Sequence, residues 1–527
     1  MLATTPLSDG PHSAPTAGPT PMVLIVGAGP AGLFAACELI RHGIRPRVVE
    51  RRTEPHHEAR GTALQPAVLE MLERGGLIEP FLDAGVRIRR IQLLGPGQRE
   101  IATEEFAGAG CRYEFQCSLP QWRTETILRN HLVSLGLEIE FGTEVTSIED
   151  APDGVRVTLD RGGNTETIAA AYVLGAGGAH SVTRHSMHEQ LAGDTYDGRY
   201  FVADATIRLP GPPECGRLIV GPTGFVLLSP LPDQRMLIFV NRDHDDIQRE
   251  LPTKAEFGNL LNSRTGIEVG LGDLRWVSPF TMHKREVAHL SDGRRFMMGD
   301  AAHLSSPLGG EGLNSAFMDA GNIAWKLALV LHGAAKPSLL DSYTTERGLA
   351  DHHVLEVSDE VHRLVTGLVS MCRDGGAPSV SPGDPAQNMA GARRRLMLDV
   401  SYAGSTLIGQ AGAFAGGPPP GERFPFSHRL KGTLHHLIVF GGAPRLENLR
   451  ERWGGLVSII DAAEGEFGAA ECGLPDTGVI LVRPDGFIGF RATPVDGSMV
   501  EAIHAHLETY LVPNVVGTSD QGPAAWR

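Results

Sequence analysis

No apolar run in the 527 residues reaches the ~18 side chains that a membrane span needs, so no membrane partner is expected. The first 20 residues also lack the basic-then-apolar order of a secretory signal. They are rich in Pro, Ser, Thr, Gly and Ala, cannot repay the entropy of ordering, and read as a disordered tail. Cysteine is scarce. Cys37, Cys111, Cys117, Cys215, Cys372 and Cys472 are scattered, and no two have C-x-x-C spacing. That argues against a disulfide framework and a structural zinc site, and it suits a reducing, cytoplasmic setting. Positive charge is in deficit too: 47 Lys and Arg stand against 62 Asp and Glu, a formal net charge of −15. With no basic cluster to offset it, a nucleic-acid partner is not expected. Of His180, His185 and His188, the last two stand i, i+3 and suit one helix face, but nothing nearby supplies a third reliable ligand, so no metal site is expected.

What the chain does contain is a complete nucleotide-binding unit. Residues 23–52 read VLIVGAGPAGLFAACELIRHGIRPRVVERR: a buried strand, a glycine turn, a helix and a second strand. Gly27, Gly29 and Gly32 have G-x-G-x-x-G spacing. The first allows the tight turn, the second admits a pyrophosphate to the backbone, and the third lets the helix pack close to the sheet. Free N–H groups at the helix start favour phosphate, and Glu50, ending the second strand, stands where a carboxylate accepts from a ribose hydroxyl.

The remaining pattern predicts an α/β protein of several parts. Residues 21–194 and 286–372 read as one nucleotide-binding domain, interrupted by a strand-rich, antiparallel sheet domain over 195–285. Gly/Pro-rich patches over 373–424 read as a linker, and 425–527 as a separable small α/β domain with a hairpin turning at Asp485-Gly486. Leu69, Leu72 and Leu77 give a helical stripe after Arg60, an arginine suited to a pyrophosphate or to a solvated surface. Gln121 and Glu125 share a helix face. The stretch GDAAHLSSPLGGEGLN, residues 299–314, links a buried strand to a long helix from Leu313 to Leu331. Gly309, Gly310 and Gly312 suit neither element, which suggests a backbone pressed against a ligand.

VGAGPAG paired with RRFMMGDAAH resembles the single-component FAD-dependent aromatic monooxygenases of the phenol hydroxylase and para-hydroxybenzoate hydroxylase type. The likeness runs over nearly all of the chain after residue 22. It implies a Rossmann-like FAD-binding domain, an inserted substrate-binding sheet and a C-terminal thioredoxin-like domain, the last without a C-x-x-C pair. It further implies FAD contacts at Gly27, Gly29, Pro30, Ala31, Gly32, Glu50 and Arg51. Arg60, Gln121, Gly178 and Arg184 match flavin- or pyrophosphate-binding positions, and Asp300 matches the carboxylate that binds the ribityl hydroxyls. Pro307, Gly310, Gly312, Leu313 and Asn314 fall against the ring edge, where the helix dipole favours the charge of a reduced flavin. The activity implied is hydroxylation of an aromatic molecule, phenolic or polycyclic, by O2 through a flavin C4a-hydroperoxide, with NADPH or NADH as transient reductant and a possible homodimer.

Two positions depart from the family pattern. Its D-G-x-x-S-x-x-R motif is here GGAHSVTR, with Gly177 in place of the acid, and Glu311 stands where many relatives carry an uncharged residue. No catalytic base is identifiable from spacing. Tyr196, Phe225, Phe239 and Trp276 suit either a substrate pocket or plain core. Two other readings share the nucleotide motif: an FAD-dependent dehydrogenase or reductase, and a non-enzymatic protein that binds an aromatic ligand. A flavin halogenase would need W-x-W-x-I-P, and no tryptophan here lies in one.

Overall fold

The computed structural model describes residues 23–56, 61–209, 212, 214–242, 251–380, 391–414, 416–441, 446–464, 466–474, 477–494 and 496–513. The expected tail, 1–20, and Arg60 lie outside these described residues. Strand Val23–Val26 is flanked by parallel partners on both sides, Tyr172–Gly175 and Arg47–Glu50, which is why it has no polar side chain. The sheet continues to Ile139–Phe141 on one side and to Arg295–Met297 and Ser291–Asp292 on the other. Alternate residues then face two layers. Val23, Ile25 and Val48 pack with the helices Pro30–Arg41 and Gly312–Leu331. Leu24, Val26 and Val49 pack on a three-stranded antiparallel layer of Glu144–Ala151, Gly154–Arg161 and Asn164–Ala170.

The second body is a seven-stranded sheet in the order Gly270–Phe280, Arg199–Arg208, Arg235–Arg242, Gly224–Leu231, Gly216–Gly221, Arg90–Leu94, Glu100–Glu105. The last two strands correct the sequence reading, which kept all of 21–194 in the nucleotide domain. Gly216–Gly221 pairs with Arg90–Leu94 in parallel, so the sheet is not wholly antiparallel either. A pairing across more than a hundred residues leaves no local periodicity to read. One face packs on helix Lys254–Thr265 through Phe201, Ala203 and Ile238. The other meets the second half of the 32-residue helix Ser342–Arg373 through Val365, Leu368 and Val369.

The C-terminal sheet runs Gly409–Ala411, Ile488–Ala492, Gly478–Val482, His435–Phe440, Val457–Asp461, with helix Gly497–Glu508 packed on it through Met499, Ile503 and Leu507. Its first strand lies inside the expected linker, a second correction: the proline-glycine patch after residue 415 bends the chain within this unit. Leu396, Met397, Val400 and Tyr402 are buried in the nucleotide-domain core. Buried contacts join this unit to the nucleotide domain. Arg483 and Asp485, both buried, reach across to Glu346 and to the Trp325 indole N–H. Among the described residues, no helix is long and apolar enough to cross a membrane.

Candidate cofactor site

The glycine turn is built by exclusion. Gly27 has φ +111°, and a Cβ there would lie 2.3 Å from Ala176 O, so only glycine lets the chain after Val26 turn past the end of strand Tyr172–Gly175. On Gly32 a Cβ would lie 2.0 Å from Gly27 O, which brings the helix down onto the turn. Gly29 differs, because nothing stands within 4 Å of where its side chain would be. It caps the helix with no side-chain bond, and Pro30 follows at the first position, so the helix start leaves N–H donors open for an anion.

Glu50 closes the turn from the second strand. Its Oε2 accepts from Ala28 N at 2.9 Å, and its Oε1 accepts from Arg52 N at 3.1 Å and Arg52 Nε at 3.0 Å. Burial alone would raise its pKa, yet the hydrogen bonds from Arg52 and Ala28 bring it below the usual glutamate value. The carboxylate therefore stays ionised, with lone pairs to spare for a sugar diol. Arg52, which the sequence reading passed over, makes this contact. The expected Arg51 is exposed beside it.

Two further walls come from distant parts of the chain. Gln121 accepts from Gly61 N at 3.2 Å and donates to Glu125 at 2.9 Å, while a Cβ on Gly61 would lie 3.2 Å from Leu313 Cβ. Gln121 and Leu313, nearly 200 residues apart, thus meet over one glycine. The elbow is the third wall. Gly299 turns at φ +58°, with the positions of Ala316 Cβ and Ala31 Cβ 3.0 and 3.5 Å from its missing side chain, so the two helix starts converge there. Asp300 follows, exposed. Asn314 clasps three backbone groups, accepting from Gln65 N at 2.8 Å and donating to Ala63 O and Gly310 O at 2.9 Å each. Gly310 N bonds Pro307 O at 3.1 Å, which shapes the loop, and Gly312 begins the helix.

Arg184 and Gly178 sit at the end of strand Tyr172–Gly175. The guanidinium donates to Ala301 O at 3.1 Å and Ala179 O at 2.6 Å, so it braces the turn after Gly178 against the elbow. Gly177 has an ordinary φ of −78°, and the nearest atom to a side chain there is Ser181 Cα at 3.5 Å.

Behind the elbow lies a buried network that sequence reading missed. Asp319 accepts from Gly299 N, His303 Nε2 and Arg347 Nε at 2.8, 2.8 and 2.7 Å, and Asp351 accepts from Arg347 at 2.5 Å. His303, Asp319 and Asp351 are close enough to hold a cation, but the Arg347 guanidinium already supplies that charge. The i, i+4 spacing of Arg347 and Asp351 was the only signal available beforehand.

The sheet domain turns a half-buried apolar face to the elbow. Leu218, Leu227, Leu237 and Trp276 of the sheet and Leu308 of the elbow are half-buried and pack against the same buried cluster. Tyr196 is half-buried there. Phe225 and Phe239 belong instead to the core, packed on Tyr200 with the Tyr200 and Phe239 rings stacked at 5.2 Å.

The residues present fit a flavin dinucleotide on grounds internal to this structure. Gly29 leaves an open flank at a helix start, and Gln65 Nε2 is a buried donor with no partner beside the glycines of the elbow. The sequence matches the family described as FAD binding domain over residues 20–358. It is 31% identical to 6-methylpretetramide 4-monooxygenase of Streptomyces rimosus, covering 89% of this chain and 90% of that protein. Identity to pentachlorophenol 4-monooxygenase of Sphingobium chlorophenolicum is 30%, covering 95% and 99%. The fold is similar to that of OxyS anhydrotetracycline hydroxylase from Streptomyces rimosus, with a TM-score of 0.74, 28% identity, and coverage of 93% and 99%.

Proposed function

The chain belongs to the FAD binding domain family of aromatic monooxygenases, and from that membership we propose that it uses NADPH or NADH and O2 to hydroxylate a phenolic or polycyclic aromatic molecule. The observation that carries this reading is the convergence of Gly27, Glu50, Ala176 and Gly299 at the carboxyl ends of four neighbouring parallel strands. Open α/β sheets bind ligands at that edge. When bound, FAD supplies the redox chemistry, taking two electrons from the nicotinamide and activating O2. The chain's own residues do the rest. The open helix start at Gly29 and Pro30 receives the pyrophosphate, with Ala31 behind it, and Glu50 receives the adenosine ribose. Gln121 and Asp300 take polar groups of the ribityl chain, and Pro307, Gly310, Gly312, Leu313 and Asn314 border the ring. Leu218, Leu227, Leu237, Trp276 and Leu308 offer an apolar bed that seats a flat aromatic substrate and excludes water.

The C-terminal unit is proposed to be thioredoxin-like. Its mixed sheet supports that reading, with His435–Phe440 parallel to Val457–Asp461 and antiparallel to Gly478–Val482. Lacking a C-x-x-C pair, it is structural and not redox-active. The functional test is direct. Purified protein should be yellow, should bleach with NADPH faster when anhydrotetracycline or pentachlorophenol is added, and should place one atom of 18O2 in the product. Bleaching with no labelled product for any aromatic offered would favour a reductase.

A further inference from the structure

Glu311 is the N-cap residue just before the elbow helix and 1% exposed, and neither carboxyl oxygen has a hydrogen-bond partner. A carboxylate at a helix start normally caps the open N–H groups. This one makes no cap bond and leaves them free. Its seat is shaped for it, since a Cβ on Gly309 would lie 2.5 Å from Glu311 Oε2. The nearest charges do not neutralise it. Arg395 is forked on Glu104, Arg394 pairs with Glu360 at 3.2 Å and lies 4.0 Å from Asp399, and Asp399 bonds His353 at 3.1 Å. Burial pushes the carboxyl up to about 8, with Arg395 and Arg394 pulling down and Asp399 adding to the rise. A buried carboxyl without donors favours its protonated form, so Glu311 carries a charge only on the alkaline side of neutrality.

We infer that Glu311 is a proton-accepting group coupled to reduction of the cofactor, taking up one proton from solvent as the ring beside its helix gains charge. The inference rests on the flavin reading above. With FAD held at the elbow, a hydride from the nicotinamide would bring two electrons and leave one extra negative charge beside this helix start. Where Glu311 is ionised, one solvent proton would then bond to its carboxylate and cancel its charge. A second negative charge at the elbow is thereby avoided, and the helix N–H groups remain available to the ring.

The test is proton uptake per flavin during anaerobic photoreduction of the FAD-loaded full chain, read with an indicator dye from about pH 7 to about pH 9.5. Because coupling is reciprocal, titration of the reduced flavin is followed separately in each variant by its absorbance and subtracted from the total uptake. Wild type should take up as much as one more proton than Glu311→Gln above pH about 8, and the two should coincide near pH 7, where Glu311 is already neutral. Equal uptake in both proteins across the range would overturn the inference, and so would a wild type that shows no extra proton at any pH. If Glu311→Gln loads no flavin, Glu311→Asp decides. An extra proton that persists with its onset displaced supports the assignment, and identical onset to wild type refutes it. A wild-type chain that binds no FAD at all would sink the flavin reading itself, a different and visible failure.

Discussion

Glu50 stays ionised although buried because three N–H donors face it, and its folded pKa lies below its unfolded one. The stability it adds is therefore complete above the usual glutamate range and is lost as pH falls through the lowered value. FAD affinity should follow the same course. In Glu50→Ala the loss of charge-assisted bonds, worth about 1.5 to 3 kcal/mol, should weaken FAD binding roughly tenfold or more at neutral pH, measured by fluorescence titration of the apoprotein. Asp300→Ala should do likewise by removing the acceptor for the ribityl hydroxyls; unchanged affinity would displace the elbow from the site. Gly177 poses the opposite question, because a side chain fits there at ordinary φ. If the absent acid slows nicotinamide docking, Gly177→Asp should speed anaerobic flavin reduction by NADPH or NADH in stopped flow and leave oxygen transfer alone. A rate unchanged with both nucleotides would mean that another group has taken over that role.

Among the elements, the elbow holds its shape through one residue. Asn314 satisfies a buried N–H and two carbonyls from strand Ala63–Leu64, Gln65 and Gly310, so Asn314→Ala leaves several polar groups unpaired at about 1 to 3 kcal/mol each. The thermal midpoint should drop by several degrees and FAD retention on gel filtration should fall; a variant with full flavin and unchanged midpoint would show the clasp to be dispensable. The glycine turn, the hairpin at Asp485-Gly486 and the helix after Gly312 were legible because their signals are local: spacing, turn residues and a continuous apolar stripe. Strand Arg90–Leu94 was not, since its partner is Gly216–Gly221 and nothing in five residues announces a parallel mate so far along the chain. Nor was Arg347 with Asp319 and His303, whose meaning depends on three segments closing behind Gly299. In the same way Arg51 and Arg52 look equivalent in sequence, and only backbone direction decides which of them reaches Glu50.

At the scale of the molecule, the C-terminal unit is tied in by charge. Arg483 forks on Glu346 and pairs with Asp485, both fully buried, while Lys326 bonds Glu346 at 2.7 Å and Arg74 donates to Asp485 O at 2.8 Å. Arg483 is the stronger hold. Burial pulls Lys326 down to about 8 despite Glu346, whereas with Arg483 and Lys326 beside it Glu346 stays well below the carboxylate range in spite of its burial. Removing one partner of such a cluster typically costs 3 to 5 kcal/mol, so Arg483→Met should lower stability by about that amount in urea unfolding. Truncation before residue 425 should give insoluble or flavin-free protein; a soluble yellow truncate would show that the cluster is not required. Lys326, Trp325 and Asn322 belong to the same 20-residue helix that begins at the elbow. Such a helix is a rod of about 30 Å with one end at the ring and its middle and far turns gripped by another domain. Occupancy of the cofactor should therefore be felt as slowed amide exchange in strand Gly478–Val482, well beyond any contact with FAD, so that the loaded and empty proteins differ in how often a remote sheet opens.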